Sequence, residues 1–97
     1  MKQRPRIKIT SIETAVQIYY TFPELGTDEV IQLFGCSKAT ATRLKKRARD
    51  RQIREGIITF SDANVNTKTA YKEWGLDIAD LERRMVRYRR IQEGMAT

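Results

Sequence analysis

Cationic side chains are concentrated in residues 38–54, and their chemistry suits a polyanionic partner. This range contains eight Lys or Arg residues and one acidic residue, Asp50. Ammonium and guanidinium groups form charge-assisted hydrogen bonds with phosphate oxygens, and arginine also bonds bidentately to guanine. A face with almost one sign of charge repels itself unless an anion lies against it. We therefore expect an anionic partner for this stretch.

The composition of the whole chain agrees with such a partner and gives no support to catalysis. The 97 residues include 19 Lys or Arg and 12 Asp or Glu, for a net charge of +7, a balance typical of nucleic-acid-binding proteins. Because there is no histidine, a Ser-His-Asp or Cys-His arrangement cannot form, and a zinc site would lack its usual ligands. We expect no enzymatic activity, cofactor, metal or small-molecule ligand.

The sequence also predicts a cellular compartment. Its one cysteine, Cys36, cannot form an internal disulfide, which favours a reducing environment. No apolar segment follows the charged N-terminus as in a secretory signal, and no stretch is apolar enough to cross a membrane. We predict a cytoplasmic, nucleoid-associated protein without a membrane partner.

Two predicted helices separated by a tight turn position the cations within residues 27–50. Thr27 is the expected N-cap of a short helix, and Gly35 ends that helix because glycine tolerates the left-handed conformation. Ser37 is the expected cap of a second, basic helix. The apolar positions recur at helical spacing; they are Val30, Leu33 and Phe34 in the first helix and Ala41, Leu44 and Ala48 in the second.

The run GCSKATATRL, residues 35–44, resembles the turn and recognition helix of bacterial and phage helix-turn-helix proteins. Val30 and Phe34 match the apolar pair that precedes the turn glycine in that superfamily, and Cys36 matches the apolar residue after it. The chain departs from the pattern at Ile31, where the superfamily prefers alanine. The resemblance implies that the contacts to bases and phosphates map onto Ser37, Lys38, Ala39, Thr42, Arg43 and Lys46.

In this interpretation the second helix enters the major groove of double-stranded DNA with its N-terminus leading. Arg43 is best suited to a bidentate contact with guanine. The side chains expected on phosphates are Lys45, Lys46, Arg47 and Arg49. We expect sequence-specific DNA binding by a small transcriptional regulator, or by a phage or mobile-element factor of repressor or excisionase-like type.

The remaining segments predict a mainly all-α single domain over residues 1–97, with about five short helices. Core helices are expected in 10–54, the first capped by Thr10 with Glu13 at capping-box spacing. Further helices are expected within 66–93. The strand-like residues 57–60 would either pair with residues 6–9 as a two-stranded ribbon or form an apolar loop that pins the basic helix to the core.

Residues 1–9 alternate basic and apolar side chains around Pro5, which forbids a helix there. Two interpretations stay open for them. One is an arm that reaches into the minor groove through Lys2, Arg4 and Arg6; the other is a short strand or a disordered tail.

The last predicted helix, residues 77–93, also has two interpretations. Its apolar residues have the spacing of a coiled-coil seam. They would either form a homodimer surface or pack on the domain's own core. These residues are Ile78, Leu81, Met85 and Tyr88. Since one recognition helix reads only a few base pairs, specificity calls for a dimer. The arginines of this helix are either solvated or a second edge that contacts phosphates.

Two other functions remain open from the sequence. The arginine-rich last helix could bind an acidic protein, with residues 27–50 serving as scaffold. RNA binding is the second, although the basic helix lacks the stacking aromatic residues that single-strand readers usually carry. The one tryptophan, Trp74, is expected in the core rather than on a base.

Overall fold

The structure, a computed structural model, describes residues 8–95. Its elements in chain order are α1 (Ile12–Thr21), β1 (Glu24–Leu25), α2 (Thr27–Phe34), α3 (Lys38–Arg54), β2 (Val65–Asn66), α4 (Thr67–Glu73) and α5 (Ile78–Met95). The predicted fold class, mainly helical with five helices and a small two-stranded ribbon, is confirmed. The predicted arm residues Lys2, Arg4 and Arg6 lie outside the described residues.

The two-stranded ribbon forms from different residues than predicted. It is antiparallel and pairs Glu24 with Asn66 and Leu25 with Val65. Residues 57–60 are an irregular loop in which Ile58 is 91% and Phe60 101% exposed. The loop is held instead by the Glu24 carboxylate, which accepts from the amides of Phe60 at 2.5 Å and Ser61 at 3.4 Å. Ile58 and Phe60 therefore do not pin α3 to the core, and the loop contacts α3 through the Ile57 amide, which donates to the Gln52 carbonyl oxygen at 3.0 Å.

Two of the predicted helix caps are also wrong by one residue. Ser11, not Thr10, caps α1, because its Oγ accepts from the Thr14 amide at 3.0 Å. The Thr10 hydroxyl instead donates to the Gln32 carbonyl oxygen at 2.9 Å, at the C-terminal end of α2. Gly26 rather than Thr27 is the N-cap of α2. Thr10 therefore joins α1 to α2 through a contact that local spacing does not predict.

The core lies where α1, α2, α3 and α4 meet. α5 packs mainly on α1, with Leu81 buried and Ile78 and Met85 partly buried against the core. Of the four residues expected at a homodimer surface, only Tyr88 is exposed, at 56%. Three of the four residues therefore pack on the domain's own core, one of the two interpretations that the sequence left open, whereas Tyr88 does not. No helix among residues 8–95 is long and apolar enough to cross a membrane.

Candidate nucleic-acid interface

The turn between α2 and α3 has the geometry that its sequence predicts. Gly35 ends α2 in the left-handed conformation, with φ of 61°, and its amide donates to the Ile31 carbonyl oxygen at 2.7 Å. Ser37 caps α3, and its Oγ accepts from the Thr40 amide at 3.2 Å. Residues 35–37 thus form a three-residue turn between two helices, with a left-handed glycine at its start and a serine cap at its end.

The inner face of α3 is locked against the rest of the domain. Ala41, Leu44 and Ala48 are buried as predicted. One turn further on, the buried Gln52 accepts a hydrogen bond from the Asn66 amide through Oε1 at 2.8 Å. The two small alanines permit close approach of the neighbouring elements, and Gln52 fixes β2 to the end of the helix. One side of α3 is therefore rigidly held, which leaves the opposite side for a partner.

α4, an element that the sequence did not assign to the site, makes the most extensive contact with α3. The indole Nε1 of Trp74 donates to the Leu44 carbonyl oxygen at 3.1 Å, and its ring lies edge-on to Phe34 with centroids 5.2 Å apart. Tyr71, also on α4, donates to the Ala15 carbonyl oxygen at 2.6 Å. Trp74 thus packs in the core, as predicted. The partners of Trp74 and Tyr71 on other helices could not be predicted from the sequence.

The opposite side of α3 carries most of the predicted DNA-contacting residues. The exposed ones are Ser37, Lys38, Ala39, Thr42, Arg43, Lys46 and Arg47. Ala39, Thr42, Arg43 and Lys46 recur at i, i+3, i+4 and i+7, so they share one face of the helix. The structure therefore brings these four side chains together on an exposed surface of a rigidly held helix, which we call the α3 outer face.

Lys45 and Arg49, which were expected on phosphates, are half-buried beside this face. The Lys45 ammonium donates to the Thr27 hydroxyl at 3.2 Å, at the start of α2. Burial and the nearby Arg49 lower the pKa of Lys45, while Glu29 acts in the opposite direction. Lys45 thus already bonds the two helices of the motif to each other, and its cation is less available to a partner than those of the α3 outer face.

Ion pairs divide the cations of α3 into two groups. At the C-terminal end, Arg51 pairs with Glu55 at 2.9 Å and Arg54 pairs with Glu73 at 3.9 Å. Within residues 8–95, no ion pair involves the other cations, which are Lys38, Arg43, Lys45, Lys46, Arg47 and Arg49. The first three turns of α3 therefore carry positive charge that the described part of the chain does not neutralise. The exposed Asp50 lies one turn beyond Lys46 on the same face, at i+4, and is the one acidic residue of this helix.

The described residues contain no cluster of three or more His, Cys, Asp or Glu side chains placed to hold a metal ion. Comparison of this chain with protein-family models, curated proteins and solved structures finds no match. The function is therefore argued from the site alone.

Proposed function

We propose that this chain binds double-stranded DNA sequence-specifically through a helix-turn-helix formed by α2, residues 35–37 and α3. The observation that carries the proposal is the α3 outer face together with its unneutralised charge. Arg43 and Lys46 are exposed and free of ion pairs within the described residues, while the buried back of the same helix is fixed by α2, α4 and β2. A duplex supplies the anionic, grooved partner that such a helix fits.

The proposed role of each side chain follows from its position along α3. Residues in the first two turns, including Lys38, Thr42 and Arg43, lie deepest when a recognition helix enters the major groove with its N-terminus leading. Arg43 bonds guanine O6 and N7. Lys46 and Arg47 contact phosphates on either side of the groove, with Arg49 at the flank. Phosphate contacts supply affinity that is independent of sequence and falls with salt.

A regulator of this size needs more than one helix to find a site in a genome. One recognition helix reads only a few base pairs, so the proposal includes a homodimer on a repeated or palindromic site. The dimer contact lies outside the Ile78, Leu81 and Met85 stripe, because these side chains pack on the core of their own chain. The biological role we propose is that of a small transcriptional regulator, or of a phage or mobile-element factor.

The decisive experiment is fluorescence-anisotropy titration of the purified chain against a random duplex library at two salt concentrations, with sequencing of the bound fraction. Enrichment of a half-site, repeated at a fixed spacing, supports a specific dimeric reader. Binding that falls with salt but enriches no sequence would replace specific recognition by an architectural role. Absence of binding at low salt would overturn the DNA proposal, and preference for single-stranded RNA in the same titration would replace it.

A further inference from the structure

The second half of α5 extends beyond the core of the domain. Every side chain of residues 86–93 is exposed, whereas Met85, directly before them, and Leu81, one turn before Met85, pack on the core. The exposed segment, VRYRRIQE, carries three arginines and one acidic residue. A surface with this charge attracts anions rather than another copy of itself.

Three arginines form a straight row on the outer side of this helix. Arg83, Arg87 and Arg90 are spaced i, i+4 and i+7, so they lie above one another on one face. Arg83 and Arg87 each follow a core-packed residue, Leu81 and Met85, by two positions. Two residues are about 200° around a helix, so the row points away from the core. We call it the α5 arginine row.

Two of these three cations are unneutralised. Asp80 pairs with Arg83 at 3.7 Å and with the neighbouring Arg84 at 2.9 Å. Within residues 8–95, Arg87 and Arg90 form no ion pair. The positive charge therefore grows toward the end of α5 that extends past the core.

The two cationic surfaces of the molecule belong to different parts of the fold. α5 packs mainly on α1, whereas α3 packs on α2, α4 and β2. A ligand that contacts only α3 and its neighbours would therefore leave the α5 arginine row to bind something else. From this arrangement we propose that the α5 arginine row binds the phosphate backbone of a second segment of duplex DNA, so that one chain holds two segments together. The inference rests on the proposed DNA binding by α3 and adds a second contact to it.

The chemistry of the row favours a phosphate backbone over an acidic protein groove. A helix that docks into a protein groove anchors itself through apolar residues at i, i+3, i+4 and i+7. On the outward face of α5, the i, i+4 and i+7 positions are Arg83, Arg87 and Arg90, and only the i+3 position is apolar, the exposed Val86. Regularly spaced guanidinium groups along a straight line suit a regularly charged backbone.

A bridging assay tests this inference. Biotinylated duplex on beads is mixed with a free fluorescent duplex, and the fluorescence recovered with the beads is measured as a function of protein. The double variant Arg87→Gln/Arg90→Gln should recover about tenfold less free duplex than the unaltered chain. Its affinity for a single duplex containing the selected site should change by less than about threefold, because α3 is untouched.

The matched control is Arg84→Gln/Arg89→Gln, which removes the same charge from the same helix but from positions off the row. If both double variants lose bridging equally, net charge and not the row is responsible, and the inference is overturned. If the row variant bridges normally, two α3 faces of a dimer hold the two duplexes, which also overturns it. A dimer that dissociates in sedimentation only for the row variant would assign the row to subunit contact instead.

Two further measurements separate the remaining outcomes. In the first, ligase circularises a DNA fragment of about 150 base pairs, which is near the persistence length of DNA. This measurement reports whether the second segment belongs to the same bent duplex. Dependence of either bridging or circularisation on the α5 arginine row supports the inference. Row-dependent binding of an acidic amphipathic peptide without any row-dependent bridging would replace DNA by a protein partner. A chain that binds single duplexes but never bridges them overturns this inference alone, whereas a chain that binds no duplex overturns the proposed function as well.

Discussion

The indole Nε1 of Trp74 donates a hydrogen bond to the main-chain carbonyl oxygen of Leu44, 3.1 Å away. Leu44 lies midway along the buried face of α3, and Trp74 lies at the end of α4, so the bond fixes how α3 is rotated about its own axis. The same indole packs edge-on against Phe34 of α2. One side chain outside α2 and α3 therefore contacts both helices and helps to set the direction in which the α3 outer face points.

Replacing Trp74 with phenylalanine keeps an aromatic ring but removes the donor to Leu44. We expect Trp74→Phe to lower the free energy of unfolding by about 1–3 kcal/mol, from the lost hydrogen bond and the smaller ring. Urea denaturation followed by circular dichroism measures this change. Tyr88→Phe is the control, because it removes an exposed hydrogen bond from Gln92 and should change stability by less than about 0.5 kcal/mol. Equal effects of the two substitutions would contradict the role given to Trp74.

Alanine substitutions at two glycines distinguish the effect of backbone strain from that of steric contact at the turn between α2 and α3. Gly35 and Gly56 both have left-handed φ angles, 61° and 71°, so alanine at either position should destabilise the fold by roughly 1 kcal/mol. A Cβ at Gly35 would also lie 3.0 Å from Thr10 Cγ2, whereas a Cβ at Gly56 meets nothing within 4 Å. We therefore expect Gly35→Ala to lower the thermal midpoint more than Gly56→Ala. The reverse order in a calorimetric scan would show that Thr10 does not crowd the turn.

Features governed by local rules were predictable from the sequence. The left-handed Gly35, the Ser37 cap and the Asn66 cap all depend on residues within four positions of each other, and side-chain chemistry decides such contacts alone. The burial of Ala41 and Leu44 followed from helical periodicity in the same way. These features set the bounds of α2 and α3. The sequence therefore predicted correctly which part of the chain forms the exposed side of α3.

Features that depend on distant parts of the chain were not predictable. Thr10 has the chemistry of a cap, but tertiary packing gives its hydroxyl to Gln32, 22 residues away. Phe60 has strand-like composition, yet the Glu24 carboxylate holds its amide in a loop. The apolar spacing of α5 suits a dimer seam and a core stripe equally, since both need one apolar face. Only the packing of Leu81 against the core distinguishes them.

The buried phenol of Tyr71 makes stability depend on alkaline pH. Burial is the main cause that raises the pKa of Tyr71 far above its ordinary value of 10.0, and Tyr19 adds to the effect. The folded chain thus retains this proton when the unfolded chain has lost it. Stability from this group is complete below about pH 10 and is lost as the pH rises from there toward the folded pKa.

We expect Tyr71→Phe to flatten the decline in the free energy of unfolding between about pH 10 and 11.5. The variant should also be about 1 kcal/mol less stable at neutral pH, because the hydrogen bond to the Ala15 carbonyl oxygen is lost. Denaturant titrations across this pH range measure both effects. Tyr88→Phe is the control for an exposed tyrosine, because the hydrogen bond to Glu82 raises the pKa of the other exposed tyrosine, Tyr20. An unchanged alkaline slope in Tyr71→Phe would assign the pH dependence to another group.

Replacing each of three α3 arginines with alanine tests three different roles. The proposed roles are base recognition, phosphate contact and a structural ion pair. Arg43→Ala should reduce discrimination between the selected site and random duplex by about 1–3 kcal/mol, roughly 5- to 150-fold, because Arg43 lies on the α3 outer face. Arg49→Ala should weaken all duplexes alike and lower the salt slope of the binding constant by about 1. Arg54→Ala is the control, since Arg54 lies at the far end of the helix and pairs with Glu73.

Anisotropy titrations of all four proteins, at three salt concentrations and with both duplexes, separate these outcomes. With Arg43→Ala, the affinity for the selected site should move toward that for random duplex, whereas Arg49→Ala should keep the ratio between the two affinities. Circular dichroism must show native helix content in each variant, so that a loss of binding reports a contact rather than unfolding. If Arg43→Ala and Arg49→Ala both bind like the unaltered chain, α3 does not enter the groove. An effect of Arg54→Ala as large as either would mean that net charge, rather than the α3 outer face, governs binding.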